Sequence, residues 1–565
     1  MHSSAALLSV FSNIARSASI KISAAILLAL WSVASSAAVT IVGNGEIYSV
    51  APQQPKIEAF AFDEDKFVAT GSLVELRQQF AGAAEIDLEG ATVVPGFIDA
   101  HGHLLGLGQS LMRVDLVGSE DKAEILRRLE SFAADLPPDQ WLLGRGWDQN
   151  DWPVKKLPTA SDLDAAFPTR PVWLERIDGH AGWGNSAAMK FAKQKLAGSW
   201  QPEGGEIVRD KDGLPTGIFI DNAAQLIDQA VPPETPAQLQ EALTRAMAMT
   251  ASVGLTSMHD AGTSKQVWEI LQSMKSRNEI AIRVYAMADG NNSMLNMLCE
   301  DGAVMDPEAL LTARAVKLYS DGALGSRGAA MLAPYSDSPD QLGLLIVTPE
   351  NLGKTALRAT QCGLQVNIHA IGDRGNRVSL DALTAATKMA NPGRHRIEHS
   401  QVIAAQDFPR FKSLNLIASV QPTHATSDMY WAEDRVGAER IKGAYAWQRL
   451  IESGVPLALG SDFPVEKPDP LLGFYAAVSR QDSNGWPAGG WYAQQRLSRE
   501  QALYGFTMGA AFAAFQEQLL GSIEAGKKAD FVVLSDDLMT VPVEQILQIK
   551  ILNTYMNGKA IYNRE

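Results

Sequence analysis

The sequence predicts an α/β protein: a (β/α)8, TIM-like barrel, a composite β-sandwich formed from both chain ends, and an insertion after the first barrel strand. Three observations predict it. Eight apolar strand candidates follow one another through the middle of the chain, and helical patterns separate several of them. Strands alternating with helices form parallel βαβ units, and eight such units suit a closed barrel. Both chain ends instead carry short period-two strands with Gly and Asp turns. A stretch over residues ~135–235, rich in Trp, Pro, Gly and Asp, breaks the alternation and reads as an insertion above the barrel mouth.

Residues 1–38 hold Arg16 and Lys21, a short apolar core over 22–33, and the small residues 34–38. That order describes a signal peptide cut near Ala38, hence a periplasmic or extracellular protein. The apolar core is too short for a standard membrane span, so no membrane association is expected after removal. Residues 39–94 read as short strands, matched by Ala529–Leu534, Ile551–Met556 and Lys559–Tyr562 near the other end. The expected domains are 39–94 with 515–565, and 95–514. The barrel strands are expected from Val93 into His101, then at Leu255–His259, Ile282–Ala286, Ala315–Tyr319, Leu364–His369, His395–His399, Leu416–Gln421 and Leu457–Gly460. Leu239, Leu243 and Met247 mark a helix by their i, i+4, i+8 spacing.

The net charge of −15 has no basic stripe to offset it, which argues against nucleic acid as a partner. Cys299 and Cys362 are the only cysteines and form no disulfide framework or metal motif. They could pair in an oxidising compartment, but two buried thiols are the expectation.

Barrel enzymes carry their chemistry at the C-terminal ends of strands. Here those ends hold His101 and His103, Lys317, His369, His399 and Asp462. In a strand, residues i and i+2 share a face, so His101 and His103 can reach one ion, and neutral imidazole is a common zinc ligand. Each residue has a plainer alternative. His369 and His399 could be satisfied core histidines, Lys317 could pair with Asp321, and Asp462 could cap the turn before Pro464. His259 and His424 read as supporting residues or substrate contacts, and His395 as structural.

The segments VVPGFIDAHGHL, RIDGHAGWGNS, VKLYSDGALGSRGAA, NIHAIGDRGN, RIEHSQ, LGSDFPVE and GSIEAGKKADFVVL span the chain from about residue 39 onward. Together they resemble the metal-dependent amidohydrolase superfamily, in the branch of N-substituted formamide deformylase and its exoenzyme-like relatives (amidohydrolase family 3). The resemblance implies a barrel beside a composite β-sandwich. It implies one or two divalent ions, foremost Zn2+, with His101 and His103 on one, His369 and His399 on a second, and Lys317 bridging them as a CO2-derived carbamate. Asp462 would bind the first ion and move protons. The expected reaction is hydrolysis of a non-peptide, formamide-like C–N bond in a small molecule. The alternatives are hydrolysis of a lactone, carbamate or cyclic amide, or a catalytically silent secreted metal- or solute-binding protein. His180 matches the branch motif and is expected to face substrate, unless it is a loop histidine held by Asp178. Trp147 and Trp152 would wall an apolar pocket or pack the insertion's core. Arg327 would bind a polar substrate group or make an ordinary surface pair. A homodimer is the expected assembly.

Overall fold

Eight parallel strands run in a single circuit: Phe97–Gly102, Leu255–Thr263, Arg283–Asp289, Leu311–Tyr319, Gln365–Ala370, Arg396–His399, Ile417–Val420 and Leu457–Leu459. The computed structural model describes residues 39–137, 140–177, 179–290, 293–388 and 393–564. The expected signal peptide, residues 1–38, lies outside the described residues, as does Asp178. The circuit nearly closes where the segment after the eighth strand meets the first. Asp462 N donates to His101 O at 2.7 Å, and His103 N donates to Phe463 O at 2.8 Å. Most strand residues are buried, because helices cover the outside of the ring.

The helix over Pro236–Ser252 shows why the pattern was readable. Thr235 caps it in a reciprocal pairing with Gln238, Pro236 fills the first turn, and Leu239, Leu243 and Met247 are all buried. The helix over Pro349–Gln361 starts the same way, with Thr348 accepting from Asn351 N.

The apolar run from Val93 divides in two. Thr92–Pro95 belongs to a sheet built from both chain ends, and only Phe97–Gly102 enters the barrel. Gly96 sits between them, and its N donates to Asp530 O. A Cβ at Gly96 would lie 2.2 Å from Thr256 Oγ1, so the close crossing requires glycine.

The terminal sheet runs, in spatial order, Lys559–Asn563, Ile551–Met556, Phe531–Leu534, Thr92–Pro95, Glu46–Ala51 and Gln54–Ile57. A four-stranded sheet over residues 40–87 shares a core with it, in which the Phe60 ring lies 5.1 Å from that of Phe531. Arg283, at the start of the third barrel strand, is fully buried and grips Asp530 with both Nε (2.6 Å) and Nη2 (3.0 Å). This bidentate pair ties the barrel to the terminal sheet.

The insertion has its own six-stranded sheet, from Val114–Asp115 through Leu142–Trp147, Val172–Arg176, Ala181–Gly184 and Pro215–Asp221 to Gly205–Arg209. It therefore begins ahead of residue 135. The helix Lys122–Ala133 belongs with it, and its ordinary amphipathic pattern resembles that of a barrel helix. Cys299 and Cys362 correct the expectation of two thiols: they form a disulfide that joins the helix Ser293–Asp301 to the end of Pro349–Gln361. No helix among the described residues is long and apolar enough to cross a membrane.

Candidate metal centre

Side chains from the ends of five barrel strands meet at the C-terminal mouth. His101 ends the first strand and is fully buried. Its Nδ1 donates to Glu398 Oε2 at 2.5 Å, which points Nε2 inward, 3.0 Å from Lys317 Nζ and 3.5 Å from Asp462 Oδ1. His103 lies one step past the strand, at the start of the helix Leu104–Leu111, with Nε2 3.0 Å from Asp462 Oδ1. The His399 ring is 4.8 Å from that of His101 and 4.5 Å from that of His369. Its Nδ1 donates to Gln421 Oε1 at 2.8 Å. His424 stacks on His399, with Nε2 3.7 Å from Asp462 Oδ2. Ligand atoms of His101, His399 and Asp462 all lie within 4.8 Å of one another.

The backbone is bent to achieve this. Successive strand residues normally face opposite sides, yet Glu398 and His399 both reach the centre. His399 adopts φ +72°, a left-handed conformation that breaks the alternation, and Asp462 does the same at φ +63°. Such non-glycine residues cost about 1–3 kcal/mol each and persist where surrounding contacts hold them. Asp99 supplies one such hold: it accepts from His101 N at 2.9 Å and from Ser461 Oγ at 2.6 Å, joining the first strand to the eighth.

The electrostatics favour metal ligands. Burial, then the Lys317 charge, pushes His369 down to about 3. Burial also holds His101 and His399 below the ordinary imidazole value, which favours the unprotonated rings that a metal ion needs. Burial alone would raise the Asp462 carboxyl, but His101, His103, His399 and His424 together hold it well below the usual range. Burial would also raise Glu398, and His101 and Arg396 outweigh it, so that carboxyl too is held low.

These residues fit a divalent ion. His369 Nε2 and His424 Nε2 are buried without a hydrogen bond, their nearest carboxylate oxygens, Asp321 Oδ1 and Asp462 Oδ2, each standing off at 3.7 Å, a state that costs energy unless something else uses the lone pair. The donors are imidazole nitrogens and a carboxylate without thiolates, a set suited to zinc and its neighbours.

Several expectations change here. Lys317 does not pair with Asp321. Among the described residues it joins no ion pair, and Asp321 instead accepts from Ala330 N (2.9 Å), Ile371 N (3.0 Å) and Gly372 N (2.8 Å), fixing the loop after the fourth strand. Trp147 is not a pocket wall: it is fully buried in the insertion's core against Trp152 and Trp183, and its Nε1 donates to Leu174 O. Arg327 makes a bidentate pair with Asp337, at 3.1 and 2.9 Å, as in the ordinary surface pairing that was the alternative for it. His180 is exposed on the insertion, with Nδ1 2.8 Å from Asp221 Oδ1. His259 lies buried beneath the centre, its Nδ1 accepting from Arg396 Nη1. His395 accepts from Val366 N at 3.0 Å and is structural.

Two functional residues were not read from the sequence: Glu398 and Gln421, which orient His101 and His399. The available signal was an acidic residue inside an apolar strand, directly before His399. Such partners fix the tautomer and basicity of a ligating histidine. Glu398→Gln is expected to weaken metal affinity by roughly 10–100-fold with little change in fold. Metal titration monitored by calorimetry checks it, and an unchanged affinity would assign Glu398 to packing.

A nearly closed parallel barrel with a histidine–carboxylate cluster at its C-terminal mouth defines a metal-dependent hydrolase architecture. The chain belongs to the amidohydrolase family, whose profile matches residues 84–562. It is 34% identical to a Bacillus subtilis protein that carries the name amidohydrolase YtcJ, over 92% of this chain and 99% of that one. It is 27% identical to the N-substituted formamide deformylase of Arthrobacter pascens, over 92% of this chain and 98% of that one. The crystal structure of an uncharacterized metal-dependent hydrolase from Pyrococcus furiosus superimposes with a TM-score of 0.74 at 29% identity, covering 89% of this chain and all of that one.

Proposed function

We propose that this metal-dependent hydrolase cleaves a C–N bond in a small, non-peptide, formamide-like amide. The observation that carries the reading is the tight cluster of His101, His399 and Asp462, with His103, Lys317 and His369 beside it and His369 Nε2 buried without a hydrogen bond. The deformylase relative supports the C–N bond and the formyl class. His101 and His103 would hold one ion and His369 and His399 a second, with Zn2+ the best match to the donor set. A divalent ion there supplies water of near-neutral acidity and polarises a carbonyl oxygen.

The chain's own residues do the rest. Glu398 keeps the proton of His101 on Nδ1, leaving Nε2 free to ligate. Asp462, ionised at neutral pH, accepts a proton from the attacking water and hands it to the leaving nitrogen. Burial lowers the ammonium of Lys317 toward the neutral amine. That amine can add CO2: a new N–C bond forms, one N–H proton leaves, and a carboxylate results. The absence of any ion pair at Nζ among the described residues supports this. The two terminal sheets read as a β-sandwich that carries the barrel. The disulfide Cys299–Cys362 and the character of residues 1–38 together support export to an oxidising compartment.

The test is a substrate panel on protein stripped by a chelator and reloaded with Zn2+ or Mn2+. Turnover of N-substituted formamides by reloaded protein alone is expected. Preference for a lactone, carbamate or cyclic amide would overturn the assigned bond, and full metal occupancy without turnover of any of them would overturn the enzymatic reading.

A further inference from the structure

Tyr319 ends the fourth barrel strand two residues after Lys317, so both side chains face the interior. Its ring lies 5.9 Å from the His369 ring and 5.1 Å from Lys317 Nζ. The phenol reaches across the rim to the end of the second strand. There Gly262, at φ +107°, leaves room for it: a Cβ at that position would lie 3.1 Å from Tyr319 Oη. The ring is half-buried, yet its hydroxyl makes no hydrogen bond with any described residue. Other buried tyrosines use theirs: Tyr285 donates to Gln365, Tyr335 to Ala329 O and Tyr445 to Asp428. Tyr319 differs from these in that its Oη is not sealed in the core: it stays open at the mouth, where an incoming group can reach it.

We propose that Tyr319 is a catalytic residue whose Oη–H donates to the substrate's carbonyl oxygen as that oxygen gains negative charge. When the attacking oxygen bonds the carbonyl carbon, the C=O π pair moves onto the carbonyl oxygen. Tyr319 stabilises that charge by hydrogen bonding, without giving up its proton. Its position favours this role over service to the leaving nitrogen. Tyr319 stands beside His369, whereas Asp462, the proton carrier for nitrogen, stands beside His101 and His103. The inference rests on the acyl-hydrolysis reading above, but not on which acyl bond is cut.

Tyr319→Phe tests it, because the change removes one oxygen and keeps the ring's packing. The expected result is a kcat lower by roughly 10²–10³-fold, the usual effect of deleting one oxyanion donor, with KM within about threefold, and with metal content and melting temperature unchanged. Calorimetry with methylphosphonate, a tetrahedral anion, should show at least tenfold weaker binding to the variant, while planar acetate binds both proteins alike. If the wild type hydrolyses esters or lactones rather than amides, the C–N reading falls and the same comparison still decides for Tyr319. A rise in KM alone, or equal methylphosphonate affinity in the two proteins, would overturn the proposal. So would a wild type that neither turns over an acyl substrate nor binds methylphosphonate.

Discussion

Asp462→Asn is expected to lower kcat by roughly 10²–10⁴-fold, the range associated with losing a positioned proton carrier. Asparagine keeps the size of the side chain and one oxygen acceptor but cannot take a proton. The substitution should not disturb the fold. Asp462 sits at φ +63°, and asparagine is among the few residues that tolerate the left-handed region well. The carboxylate faces His101, His103 and His424 at once, so its loss also removes negative charge from a crowd of imidazoles. Metal content must therefore be measured beside turnover. At matched occupancy, a rate within threefold of wild type would take proton transfer away from Asp462 and leave it as a ligand only.

Lys317→Met should separate a working lysine from a structural one. Methionine approximates the length and volume of the side chain. It removes a buried basic group that sits in no ion pair among the described residues, and burying such a group is costly. The melting temperature should hold or rise. Turnover should fall by roughly 10³-fold, corresponding to several kcal/mol of lost transition-state stabilisation, and the metal-to-protein ratio should drop. A destabilised variant with intact turnover would restore Lys317 to a packing role.

The barrel was legible because its strands are apolar runs that stop at polar residues, and each of the eight expected runs contains or overlaps an observed strand. The same signal named His101, His399 and Asp462, which the fold clusters, and His103, Lys317 and His369 beside them, since a polar residue at the end of a buried strand faces the mouth. What escaped were facts set by contacts between distant residues. Glu398 was hidden beside His399, because strand alternation places neighbours on opposite faces and only a left-handed His399 turns both inward. Trp147 and Arg327 carry chemistry that suits a substrate, but the insertion's core claims the first and Asp337 the second. The cysteines are separated by 63 residues, and nothing local to either shows that two neighbouring barrel helices bring them together.

The antiparallel pairing of Thr92–Pro95 with Phe531–Leu534 has a consequence for how the molecule is made. The segment leading into His101 is synthesised early, yet its hydrogen-bonding neighbour leaves the ribosome hundreds of residues later. Until then that edge has no mate, and so long-range a pairing is slow to form. That edge of the terminal sheet thus waits through nearly all of translation for its mate.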